Sequence, residues 1–297
     1  MKYNALHRIK RAAILPDWAV LSYKSPYEPP TLLTVAKPDI AEMAQSTADR
    51  VERKRGIGGL AKQANPAFAV GAVAVPLIAF AGALASGNIR ALTYVHVMAG
   101  VLWTGIDLFM GLVLGPVLGG QEPEVRADFF ASFTPKMTFL MPTLATVTIA
   151  GGILLALRLG KFPNADPWLA LLTAATLIPV MLLIGYQFDA LTDPKTLGAL
   201  GVAVVGSGAY LVTALPAFAM TSWWIVATLG IVTLLSVQGF GVILPGEVRI
   251  YRQVVSENPD VDLVSDIGMR NAKLGGLQGL MQLAIVFVMV GLRWWTP

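Results

Sequence analysis

Seven long apolar stretches constrain this chain more than any other feature of its 297 residues. A hydrocarbon core about 30 Å thick is crossed by roughly 20 apolar residues in a helix, because a lone strand or loop would leave backbone polar groups unpaired in lipid. The stretches lie near residues 68–87, 91–118, 137–159, 168–188, 197–217, 223–244 and 277–292. They predict an all-α fold, a polytopic transmembrane helix bundle over residues 68–297, preceded by an N-terminal arm over residues 1–67. Composition agrees: at 55% hydrophobic and 13% charged residues, the chain has too little polar surface to cover itself in water. The fifth stretch is the weakest helix former, carrying Gly198, Gly201, Gly206 and Gly208. Pro76 predicts a kink in the first.

Charge supplies an orientation. Residues 1–67 hold eleven of the 22 Lys and Arg, and alternate loops place eighteen on the side of the N-terminus against four opposite. The positive-inside rule then puts the N-terminus in the cytoplasm, in a cell (plasma or inner) membrane. Trp168, Trp223, Trp224, Trp294 and Trp295 fall at span ends on the predicted outer side, as an interfacial aromatic belt would. A basic arm beside apolar spans points to anionic lipid headgroups and away from nucleic acid. Within the arm, Ile40, Met43, Ala44, Thr47 and Val51 recur at helical spacing above a charged run at residues 49–55. This predicts an amphipathic helix that packs on the protein, lies on the membrane, or docks other membrane or cytoplasmic subunits.

The second span carries the most chemistry. Rotating 100° per residue places His96, Gly100, Trp103, Asp107 and Gly111 on one stripe, which should face the bundle interior, since imidazole, indole and carboxylate are costly in lipid. His96 and Asp107 are about 16 Å apart along the helix, too far to ligate one ion. His96 reads either as an imidazole hydrogen-bonded between helices or as an axial ligand to haem b or copper. Asp107 reads as a buried hydrogen-bond donor, the partner of a cation, or part of a proton path. Only one other histidine exists, His7 in the arm, so a second ligand would come from Met98, Met110, Lys136, Met137 or Met141, from water, or from another subunit. Met137 and Met141 share a helix face, as a soft Cu(I) site requires and as ordinary packing also allows. With no cysteine, thiolate ligands and nucleophiles are excluded.

Other polar groups interrupt the later spans. Gln238 lies in the sixth, and Gln278 and Gln282 stand one turn apart in the last; such amides join helices, or line a polar path with Asp107. Gly111, Gly115 and Gly119 form a close-packing face. Glu247, Arg249 and Arg252 follow the sixth span and read as a solvated charged face. No phosphate-binding loop, dinucleotide fingerprint, zinc-protease motif or nucleophile elbow precedes a suitable element, so ATP-driven transport and hydrolysis have no support.

The spacing His96, six residues, Trp103, one residue, Gly105, followed by Phe133-Thr134-Pro135-Lys136-Met137 opening the third span, resembles the copper-resistance-D-like membrane proteins. It is also similar to the haem-binding membrane protoporphyrinogen oxidases of bacteria, whose early spans share a His…Trp signature and a Thr-Pro-x-Met helix start. The likeness covers about residues 91–160, with a looser echo at 240–249 and 278–282, and does not reach the arm. It implies a haem or copper ligand at His96, with Trp103, Met98 and Gly100 beside the cofactor, although such families often bring further membrane histidines. Three functions stay open: membrane redox or metal handling at His96, a non-catalytic anchor or assembly subunit, and a small-solute transporter using Asp107 and the glutamines.

Overall fold

A computed structural model describes residues 56–294, and within them every regular element is helical. Seven helices among these residues are long and apolar enough to cross a membrane. After a short helix α1 (Ile57–Ala64), they are α2 (Pro66–Ala85), α3 (Ile89–Gly119), α4 (Pro123–Arg158), α5 (Ala165–Gln187), α6 (Pro194–Ala217), α7 (Trp223–Val254) and α8 (Val261–Trp294). Valine, leucine and phenylalanine cover their outer faces, which identifies an integral membrane protein whose solvent is the bilayer. The amphipathic helix expected near residues 40–51, His7 and Trp295 lie outside the described residues.

Local sequence explains where the spans begin. The Asn88 side chain accepts hydrogen bonds from the Arg90 and Ala91 amides at 2.9 and 3.4 Å to start α3. Asp193 does the same for the amides of Lys195 and Thr196 at the start of α6, and Ser222 caps α7. Proline follows the capping position in α2, α4 and α6, where its missing N–H costs nothing.

Two spans are much longer than their apolar cores predict. α4 begins at Pro123, so Phe133-Thr134-Pro135 lies well inside the helix and does not open it, and α8 begins at Val261. At 36 and 34 residues they exceed the roughly 20 needed for the hydrocarbon layer, and their charged first turns continue the same helices beyond it. These extensions and the end of α7 hold a cluster built on Phe130, Ile250, Val264 and Ile267.

α3, α4, α7 and α8 pack on one another as the core; α2 leans on α3 and α4, α5 leans on α7, and α6 packs chiefly on α5. The closest approach joins α3 to α8: a Cβ on Gly111 would overlap the Gly276 backbone, and one on Gly276 would sit 2.7 Å from the Gly111 Cα. Gly111 is thus the working member of its glycine series, since a Cβ on Gly119 would meet only the Met269 side chain at 3.7 Å.

The tryptophans divide into two kinds. Trp223 and Trp294 are exposed, as a belt requires. Trp168 is buried and donates its indole N–H to the Ala219 carbonyl at 3.0 Å, and Trp224 fills the space left by Gly291, so these two pin helices together.

Candidate functional site

The polar stripe of α3 faces inward, and its two halves meet different helices. Toward the far end, the His96 ring lies over Gly151 and Gly152 of α4, and its Nδ1 is 2.8 Å from the Thr148 carbonyl oxygen. That bond makes Nδ1 the donor and leaves Nε2 as the nitrogen with a lone pair. Gly100 packs on the same Thr148, while Met98 is 40% exposed and turned from the ring. Toward the other end, Trp103 and Asp107 are buried at 5% and 3% exposure, and Gln282 of α8 donates to the Asp107 carboxylate at 2.8 Å. Trp103 stands one turn before Asp107 on the same helix and lines the same cavity.

Asp107 opens onto a cavity of about 80 Å³ lined by α3, α4, α7 and α8. At roughly 30 Å³ per water, the cavity has room for two or three. Its wall includes Trp103, Met110, Met137, Met141 and Gln278, all marked by their sequence positions. It does not include His96. Since His96 meets α4 at residues 148–152, about 10–22 Å along that helix from Met141 and Met137, the three expected metal ligands are not brought together. Lys136 donates to the Ser132 carbonyl on its own helix at 2.9 Å.

Glu247 lies on the opposite wall. It is 8% exposed and lines the same cavity as Asp107. The solvated face expected around Glu247, Arg249 and Arg252 is corrected for the glutamate: the helix turns Glu247 inward, while Arg252 lies outside against the Phe188 ring at 4.4 Å. The sequence held a signal for this. Ile243, Glu247, Ile250 and Val254 follow one another at spacings of four, three and four, so the glutamate interrupts an apolar stripe.

The chain carries no match to a known family. No family model, no curated protein and no solved structure matches it.

Beside each carboxylate the helix winds irregularly. α3 passes through a π-helical turn at Met110–Leu114, three residues after Asp107, and α7 through another at Gly239–Ile243, four residues before Glu247. A π turn shifts the hydrogen-bond register by one residue and recurs at functional sites. Neighbours hold the second in place: Gln187 of α5 donates to the Gly241 carbonyl at 2.6 Å, and Asn271 of α8 to the Ile243 carbonyl at 3.0 Å. One turn away, Gln238 donates to the Leu274 carbonyl at 2.7 Å and Gln278 donates back to the Leu235 carbonyl at 3.0 Å. The glutamines join helices, and Gln278 also lines the cavity.

Two carboxylates from different spans therefore face one membrane-embedded cavity whose wall has no Lys, Arg or His among the described residues. Such a site can exchange protons or hold a cation. Groups of three or more His, Cys, Asp or Glu placed to hold a metal are absent among the described residues.

Proposed function

We propose that this protein is a small-solute transporter of the cell (plasma or inner) membrane, with its N-terminus in the cytoplasm and the Asp107–Glu247 cavity as its binding site. One observation carries the reading: two buried acids share a cavity with no basic partner on its wall among the described residues. Acids inside a membrane are expensive and are retained where they serve an ion or solute path. A subunit that only anchors or assembles a complex has no use for them. The π turns beside both acids support the same reading, because transporter sites are built where spanning helices lose their regular winding.

Vesicles containing the protein and a pH-sensitive dye test it. The expected result is dissipation of an imposed pH gradient on addition of a sodium, potassium or tetramethylammonium salt, abolished in Asp107→Asn. Vesicles as tight as protein-free liposomes with every salt would contradict the proposal.

A second reading rests on His96. The Nδ1 bond to Thr148 is the kind of support that orients a ligating imidazole through its other nitrogen, which favours haem or copper at Nε2. The residues present fit such a group in part: the imidazole is oriented, but Met137 and Met141 belong to the other cavity. An optical spectrum and copper analysis of the purified protein test this reading, with a Soret band or bound copper expected in wild type and lost in His96→Ala. Their absence from wild type would dismiss it.

A further inference from the structure

We infer that the Asp107–Glu247 cavity binds a small alkylated ammonium cation, an inference that rests on the cavity being the solute site and names the solute's class. The wall has a polar and an apolar part. Asp107, Glu247, Gln278 and Asn271 supply acidic and amide groups, and no basic side chain of the described residues joins them. Two carboxylates facing one space favour an occupant of positive charge.

The rest of the wall argues against a bare inorganic ion. Trp103, Phe130, Phe133 and Phe240 contribute aromatic rings, and Met110, Met137 and Met141 contribute thioethers. A hard cation wants a shell of oxygens, which these groups do not offer. An alkylated ammonium is suited by both parts, because its charge is spread over methyl or methylene groups that pack on apolar walls and are attracted to the faces of aromatic rings.

Size sets the upper limit. A cavity of about 80 Å³ holds roughly two to three waters at about 30 Å³ each, hence a cation of a handful of heavy atoms and not a polyamine or a macrocycle.

Tetramethylammonium is the probe, with sodium as a cation lacking an apolar body and tert-butanol as a neutral body of similar shape. Calorimetric titration of the full chain in detergent is expected to show tetramethylammonium binding at least tenfold tighter than either control. Glu247→Gln, which keeps the side chain's shape, should weaken it at least tenfold. Equal affinity for sodium, or no binding of tetramethylammonium to the folded wild-type chain, would overturn the inference. The two readings fail separately. Tetramethylammonium bound in detergent but not exchanged across vesicles supports the cation site and contradicts transport, whereas Asp107-dependent flux without tetramethylammonium binding does the reverse.

Discussion

At the scale of single residues, Asp107 and Glu247 differ in how much of their role the sequence displayed. Asp107 stands amid uninterrupted apolar sequence, so its helical stripe shows that it must face inward. Glu247 sits two residues before Arg249 and five before Arg252, and charge density there suggests water. Only its spacing from Ile243, Ile250 and Val254 separates it from a surface residue. Gly276 is silent in sequence, because small residues are common in membrane helices and nothing marks which one meets Gly111. Gly276→Leu should be strongly destabilising and Gly276→Ala moderately so, by about 1–3 kcal/mol of overpacking, because the backbone opposite must retreat. The loss of thermal stability in detergent measures it, and a Gly276→Leu protein as stable as wild type would refute the close α3–α8 contact.

At the scale of the element, all seven spans were legible because about 20 apolar residues in lipid allow only a helix. The beginnings of α4 and α8 were not, since Glu124, Arg126 and Asp128 in one, and Asp262, Asp266 and Arg270 in the other, lower hydropathy while the helix continues. The π turns were also illegible: their sequences contain nothing that an α-helix would refuse, and their register depends on partners such as Gln187 and Asn271 from distant helices. Gln278→Ala should cost about 0.6–2 kcal/mol by removing the interhelical donor to the Leu235 carbonyl, which then keeps only the Gly239 N–H. Gln187→Ala should loosen the turn before Glu247, read as faster hydrogen exchange in residues 239–247 than in α2. Unchanged exchange there would show that the turn stands without the amide.

At the scale of the whole molecule, the bundle concentrates its polarity at one end of a four-helix core and leaves α2, α5 and α6 as lipid-facing supports. Because the chain has no cysteine, single cysteines report orientation without background. Asn258→Cys, in the loop between α7 and α8, should react with an impermeant maleimide only from the cytoplasmic side, and Pro163→Cys, between α4 and α5, only from outside. The opposite pattern would invert the topology and place the cavity nearer the outer surface. The resemblance around His96 and the cavity around Asp107 mark two ends of one helix stripe, and the buried acids distinguish the end argued to act. The most direct measurement is therefore cation-driven dissipation of a pH gradient in vesicles carrying Glu247→Gln beside wild type. The account predicts flux in wild type and its loss in the variant at equal protein incorporation and stability; undiminished flux in Glu247→Gln would contradict it.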